Sequence, residues 1–391
     1  MRLTTSGNAR NVFSGAIVGR ITTQNLPHSE RSEYIRFLPQ GNGVVDNFAG
    51  YRAVLSHDDV ITELPVVDRL RESDHFMHGD VVVIEGGTGF VRSLYRPYER
   101  HHSLFVTERC SSNCLMCSQP PKDKDDVEAL TKRNQELIRL MSPAPAYLTI
   151  TGGEPTLLGE HLFLLIDQLK SSLPDTELHI LTNGRTFAWP EYTHQFAAIE
   201  HPNLCLGVPL YSDNAGDHDH IVQARGAFDQ TIAGLHEAAR NGIRVEVRVV
   251  LHRLTIPRLK KLAEYIYRNL SFVEHVALMG LEYVGYTPRN INELWIDPFD
   301  YQVELEKAVN SIVMRGMSVS IYNHQLCVLA PSLWPYAQKS ISDWKNLYLP
   351  ECQRCSALDQ CGGLFQWAVK KHSEHIHALN TSMPVLDKEP R

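Results

Sequence analysis

The rhythm of hydrophobic and polar positions changes about a quarter of the way along this chain. Over residues 1–100 the apolar runs are short. Ala16-Ile17-Val18, Gly43-Val44-Val45 and Asp80-Val81-Val82-Val83-Ile84-Glu85 are each bounded by Gly, Asn or Asp. Gly86-Gly87-Thr88-Gly89 followed by Phe90-Val91-Arg92-Ser93-Leu94 has the form of a hairpin turn and its return strand. Residues 1–100 are therefore expected to form a small, mostly β module.

From Ser103 onward, strand-like runs alternate with segments of helical period. Leu104–Val106 is followed by a helix over Glu128–Met141, whose Leu130, Leu137, Ile138 and Met141 recur near every 3.6 residues. Strand Tyr147–Ile150 precedes helix Leu157–Leu169. Strand Glu177–Leu181 leads through Thr182-Asn183-Gly184 to a short helix at 191–199, and strand Leu204–Val208 to helix Phe228–Arg240. Asn241-Gly242 is a usual helix stop. Strand Val245–Leu251, helix Pro257–Asn269, strand Val273–Leu278, a helix near Pro298–Met314 and strand Ser318–Tyr322 complete the series. Strand–helix units in succession imply a parallel sheet, because each crossover must return the chain to the same end. Six units allow an incomplete barrel or an open α/β sheet, and either places ligands at the C-terminal strand ends. The domain reading is a β-rich module at 1–100, an α/β core at 101–320 and an extension at 321–391. The tail from Lys371 is polar and expected to fray.

The chain has 391 residues, with 38 Lys+Arg against 45 Asp+Glu and a net charge of −7. Such acidity argues against a nucleic-acid-binding surface. No apolar run reaches the roughly 18–20 residues of a membrane span, so no membrane is expected. The start, Met1-Arg2-Leu3-Thr4-Thr5-Ser6-Gly7, carries no apolar signal core, which points to the cytoplasm. The eight cysteines change the picture more. Seven fall into two groups with metal-ligand spacing, which in a cytoplasmic chain reads as thiolates holding metal and not as disulfides.

Cys110-Ser111-Ser112-Asn113-Cys114-Leu115-Met116-Cys117 has the spacing C-x3-C-x2-C directly after a strand. Three thiolates on one loop can hold three corners of a four-iron cluster and leave the fourth iron open; a zinc site short of one ligand is the alternative. Thr151-Gly152-Gly153-Glu154-Pro155 follows the next strand. Its glycines permit close backbone approach, and the Glu154 carboxylate can pair with an ammonium group. These two motifs, in order at the ends of consecutive strands, resemble the radical S-adenosylmethionine (SAM) superfamily. The resemblance implies a partial (βα)6 radical SAM barrel and a [4Fe-4S] cluster on Cys110, Cys114 and Cys117. SAM would sit on the open iron, with its amino group held by the Gly152-Gly153-Glu154 segment. Reduction of the cluster then yields a 5′-deoxyadenosyl radical. It also implies SAM contacts from Asn183, Ser212, Arg248 and Met279 at later strands, and places Met116 where the family usually has an aromatic residue near adenine. Asn183 reads equally well as a turn residue, and Arg248 as half of an ion pair in the barrel.

Cys352, Cys355 and Cys361 form C-x2-C-x5-C, with Cys327 upstream. Four thiolates suit a closed site, either a second [4Fe-4S] cluster or structural zinc. The resemblance favours an auxiliary cluster, because radical SAM enzymes acting on peptides often carry one in such an extension. Cys205, in Leu204-Cys205-Leu206, is expected to be a buried core thiol, Asp217-His218-Asp219-His220 a solvated polar loop or a substrate-facing edge, and His101-His102 structural.

Several segments are similar to one subfamily, HxsC, the radical SAM maturases of the His-Xaa-Ser peptide system. They are Phe105-Val106-Thr107-Glu108-Arg109-Cys110, Ala277-Leu278-Met279-Gly280-Leu281-Glu282 and Ile321-Tyr322-Asn323-His324-Gln325-Leu326-Cys327. That likeness implies oxidative modification, in the form of cross-linking or another bond-forming step, of a ribosomal precursor peptide. It also implies an HxsB-like radical SAM partner, an HxsD-like peptide-recognition protein and an external electron donor. The alternatives are a radical SAM enzyme acting on a small molecule or nucleic acid, and a cluster-bearing scaffold for a partner. No residue identifies itself in the sequence as catalytic acid or base.

Overall fold

The computed structural model describes residues 3–11, 15–41, 47–73, 75–339 and 346–380. The run Gly43-Val44-Val45 and the last eleven residues of the expected tail, 381–391, lie outside them.

Seven short strands close the first part of the chain into a barrel. They are β1 (Thr4–Arg10), β2 (Ala16–Thr22), β3 (Tyr34–Leu38), β4 (Ala53–Ser56), β5 (Val66–Arg71), β6 (Val81–Glu85) and β7 (Phe90–Tyr95). Their spatial order is β1-β5-β4-β3-β2-β6-β7, with β7 pairing back onto β1. The Gly-rich turn does form the antiparallel β6–β7 hairpin. Gly89 sits at φ 67° and packs so closely that a Cβ would stand 2.2 Å from the Gly7 carbonyl. Alternation along β6 then divides the module's work. Val82 and Ile84 fill the barrel beside Ile35 and Phe37, while Val81 and Val83 point outward.

A second sheet of seven parallel strands follows, in simple sequence order. It comprises β8 (His101–Phe105), β9 (Tyr147–Thr151), β10 (Glu177–Leu181), β11 (Leu204–Pro209), β12 (Arg244–Leu251), β13 (His275–Gly280) and β14 (Ser318–Tyr322). The crossovers carry α1 (Val127–Leu140), α2 (Glu160–Ser172), α3 (Pro190–Ala197), α4 (Ala215–Val222), α5 (Ala227–Arg240), α6 (Leu259–Asn269), the single turn α7 (Ile291–Leu294) and α8 (Gln302–Val313). Each long helix buries one stripe; in α6 it is Leu259, Leu262, Ala263 and Ile266. That stripe meets Val247, Val249, Val276 and Leu278 in the main core. A short pair, β15 (Asn346–Leu347) with β16 (Leu364–Phe365), marks the extension.

The outward valines of β6, with Val18 and Tyr95, join Leu137, Ile138 and Leu140 of α1 in that core. Arg20 Nε donates to the Leu140 carbonyl at 3.0 Å, and Arg52 pairs with Glu136 of α1. The barrel and the parallel sheet thus share α1 as a wall.

Three expectations need correction. Asp217-His218-Asp219-His220 lies in helix α4, not in a loop. Asn214 caps α4 by accepting from the Asp217 N–H at 3.0 Å, and His218 packs inward with Ile221 and Val222. Cys205 is only half-buried and faces away from the helices, because Leu204 and Leu206 take the helix side. Residues 371–380 are docked and not frayed: Ser373 is 3% exposed and donates to Asp297 at 2.6 Å. Among the described residues, no helix is long and apolar enough to cross a membrane.

Candidate active site

The cysteine loop starts where β8 ends, and it is tied at its root by a buried carboxylate. Asp126, just before α1, accepts from the Thr107 hydroxyl and the Glu108 N–H, both at 2.8 Å. The loop after β9 then closes against it. Gly153 N–H donates to the Thr107 carbonyl and Glu154 N–H to the Arg109 carbonyl, each at 2.7 Å. A Cβ on Gly152 would lie 2.6 Å from the Thr107 oxygen, and one on Gly153 only 2.0 Å from the Arg109 oxygen. Only glycine permits this approach, which holds the backbone immediately before Cys110.

Other strand ends hold the rest of the loop. Asn183, after β10, donates from Nδ2 to Ser111 Oγ at 2.9 Å. Arg185 reaches the Ser111 carbonyl at 2.7 Å with Nη1 while Nε holds Gln230 at 2.7 Å. Asn113 and Leu115 donate their N–H groups to the last carbonyls of α4, both at 3.0 Å. The Tyr286 N–H and Asn290 Nδ2 close the far side, on the carbonyls of Cys117 and Leu115. Cys110, Cys114 and Cys117 are thus presented by one loop braced from four directions, and their thiols influence one another electrostatically. Burial pushes Cys110 up to about 11 and Cys114 up to about 12, and raises Cys117 as well. Free thiols here keep their protons at neutral pH, so a metal bound to them must displace those protons.

Glu154 is 1% exposed and turned inward. Its Oε1 accepts from the Thr156 N–H, the Thr156 hydroxyl and the Thr182 hydroxyl at 3.0, 2.8 and 2.6 Å, and Oε2 from the Asn183 N–H at 2.7 Å. Burial raises its pKa against the pull of those four bonds. The side chain joins the β9 loop to the β10 loop. Met116 is buried in a small apolar group with Tyr211, Ile221 and Leu294. Ser212 lies in the cap of α4, accepting from Asn214 Nδ2 at 3.1 Å. Arg248 and Met279 meet each other, Nη2 to Sδ at 3.1 Å, with Arg248 Nη1 on Glu246 at 2.7 Å.

All four cysteines of the second group line one cavity, together with His377 and Leu379. Backbone N–H groups are aimed at their sulfurs: Leu379 to Cys355 at 3.3 Å, Gly363 to Cys361 at 3.5 Å, and His377 to Cys327. Donors of this kind suit sulfur that carries charge, as a metal-bound thiolate does. Burial raises Cys327 to about 11 and pushes Cys352 and Cys361 upward. Among the described residues, no three His, Cys, Asp or Glu side chains are gathered as one metal ion would require. The donor chemistry at both places is thiol-only and suits iron–sulfur ligation.

Sequence reading missed Arg185, Asp126 and the 373–379 segment. Arg185 directly follows the Thr182-Asn183-Gly184 turn already singled out, which was its available signal. Asp126 and the tail carry none, because both act through hydrogen bonds between distant segments.

Residues 104–266 match the family model of the Radical SAM superfamily. A GTP 3′,8-cyclase of Petrotoga mobilis is 27% identical over 143 residues, which are 35% of this chain and 42% of that protein. The match therefore spans less than half the length of that relative. Among solved structures, SuiB of Streptococcus suis bound to S-adenosylmethionine is similar at 14% identity and a TM-score of 0.46, over 57% of this chain and 51% of that one. A radical SAM methyltransferase from Sphaerobacter thermophilus is similar at 15% identity and a TM-score of 0.42, over 66% and 73%.

Proposed function

The chain carries a radical SAM superfamily domain, and from that premise we propose that it is a peptide maturase of the His-Xaa-Ser type. Cys110, Cys114 and Cys117 would hold a four-iron cluster, which with SAM would supply the chemistry of a 5′-deoxyadenosyl radical. The protein's part is to hold that loop rigid. Gly152 and Gly153 bring the β9 loop onto it, Asn183 and Arg185 fix its serines, and Met116 walls one side. Cys327, Cys352, Cys355 and Cys361 hold the second centre, a [4Fe-4S] cluster in preference to zinc. The substrate is a precursor peptide, modified oxidatively with a new bond formed, alongside HxsB-like and HxsD-like partners and an external electron donor. Thiolate-held clusters suit the reducing cytoplasm.

The observation that carries this reading is the bracing of a three-thiol loop by the ends of the neighbouring strands. Three ligands from one loop leave an iron for substrate chemistry, whereas four would confine the centre to electron transfer. The experiment is anaerobic reconstitution followed by iron and sulfide quantitation and an assay for 5′-deoxyadenosine. Mass spectrometry of a His-Xaa-Ser precursor co-expressed with this protein and its partners then tests the substrate. About eight irons per chain, SAM cleavage abolished by Cys110→Ala, and a mass change in the precursor are expected for two clusters of four irons. Iron-free protein, or SAM cleavage unaffected by Cys110→Ala, would sink it.

A further inference from the structure

The face of the parallel sheet opposite the helices carries a polar network. Register puts Glu246 of β12 beside His275 of β13 and beside Gly207 of β11. His275 Nδ1 lies 2.7 Å from Glu246 Oε2, and its Nε2 lies 2.9 Å from the hydroxyl of Ser320 on β14. Arg248 holds the other Glu246 oxygen at 2.7 Å, and His179 Nε2 of β10 stands 3.6 Å from that same oxygen. Gly207 makes the room: a Cβ there would come within 2.8 Å of His179 Nε2 and 3.0 Å of Arg248 Cδ.

Burial would raise the Glu246 pKa, but the His275 hydrogen bond and the Arg248 charge bring it down to about 2. Glu246 is therefore ionised at neutral pH and accepts from His275 Nδ1–H. In a neutral imidazole so oriented, Nε2 is the acceptor that faces the Ser320 hydroxyl. A carboxylate, an imidazole and a hydroxyl in that order make the imidazole a proton acceptor. The side chains of His275 and His179 are 22% and 29% exposed, so the network can be reached. Also facing it are Cys205 on β11, Arg244 on β12, which pairs with Glu274, and Tyr322 on β14, edge-on to His275 at 6.4 Å. Arg248 carries the network toward the C-terminal end of β13, where its Nη2 lies 3.1 Å from Met279 Sδ.

We propose that His275, oriented by Glu246 and joined to Ser320, accepts the proton that the substrate releases when its carbon radical closes to a new bond. This rests on the peptide-modifying reading above. Transfer of a hydrogen atom from a substrate C–H to the deoxyadenosyl radical gives 5′-deoxyadenosine and a carbon radical. That radical attacks a neighbouring X–H group, the C–X bond forms and the X–H bond breaks. The proton passes to His275 Nε2 by way of Ser320, and the remaining electron goes to an iron–sulfur centre. The peptide loses two hydrogens in all, and Glu246 is a positioning residue.

Two measurements on the reconstituted full chain test this. In 15N-histidine NMR, with His275 assigned by its disappearance in His275→Gln, neutral His275 is expected to be protonated on Nδ1, and Glu246→Gln to lose that preference. With a synthetic His-Xaa-Ser peptide, SAM and dithionite, His275→Gln is expected still to release 5′-deoxyadenosine. Its yield of peptide lighter by two hydrogens falls about 100-fold, the scale of a lost general base. Neutral His275 protonated on Nε2, or an unchanged ratio of peptide product to deoxyadenosine in His275→Gln, overturns the inference. If the wild type makes deoxyadenosine and leaves the peptide intact, the peptide reading fails by itself, and the tautomer still decides the relay.

Discussion

At the scale of single residues, the site depends on atoms that are absent and on carboxylate oxygens that are full. A methyl group on Gly153 would collide with the Arg109 carbonyl at 2.0 Å, and backbone cannot give way as a flexible side chain can. Gly153→Ala is expected to cut iron incorporation at the first site by more than half on anaerobic reconstitution. Gly216→Ala, whose Cβ would meet only Asn214 Oδ1 at 3.5 Å, is the control and should load normally. Glu154 is constrained differently. All four of its partners are donors, so a Gln amide would turn its own donor against one of them. With the residue 1% exposed, Glu154→Gln is expected to cost about 1–3 kcal/mol, read as a lowered urea midpoint at unchanged slope. Gly153 and Glu154 were visible in the sequence as part of one motif. The inward turn of the carboxylate was not, since it depends on Thr182 and Asn183 from another strand.

At the scale of elements, periodicity carried the reading furthest where an element buries one apolar face against the main core. The β strands of the parallel sheet and their long crossover helices were readable because each must present an apolar stripe to the same core. Helix α4 escaped because its inward face includes His218, a residue that pattern reading counts as polar. The segment 373–379 escaped for the opposite reason, being held by few apolar contacts. Ser373 and the Glu374 N–H anchor on Asp297, Phe299 stacks on His375 at 4.1 Å, and the Leu379 carbonyl accepts from Ser356. Its far end then meets the cysteine cavity through the Leu379 N–H. Leu379→Pro removes that donor. Losing a donor that favours the charged, nucleophilic sulfur is expected to slow alkylation of Cys355 in metal-free protein about tenfold, the scale of one hydrogen bond of about 1.4 kcal/mol. Peptide mapping with iodoacetamide at fixed pH would measure it, and an unchanged or faster rate would mean that the Leu379 N–H does not act on this sulfur.

At the scale of the whole molecule, three buried histidines around the parallel sheet make the fold sensitive to acid. His218, His252 and His324 are 1%, 0% and 2% exposed. Burial depresses their pKa values to about 4, 3 and 4. They are neutral when folded and take up protons once unfolded, below the ordinary value near 6.5. A depressed folded pKa means that their contribution is complete above about 6.5. It is lost as the pH falls through the window down to the folded values, by up to about 1.4 kcal/mol per pH unit for each group. The urea midpoint is therefore expected to stay nearly flat from pH 8 to 7 and to fall steadily from pH 6.5 to 4.5. His252 provides the internal check. Its Nε2 is buried without a hydrogen-bond partner, while its Nδ1 accepts from the Leu254 N–H at 3.3 Å. His252→Leu removes one titrating group and forfeits that single acceptor. The variant should start slightly less stable at pH 7.5 and lose less on acidification, so that the two midpoint curves converge toward pH 5. Parallel curves would show that His252 takes up no proton on unfolding, and that the acid sensitivity of this fold has another origin.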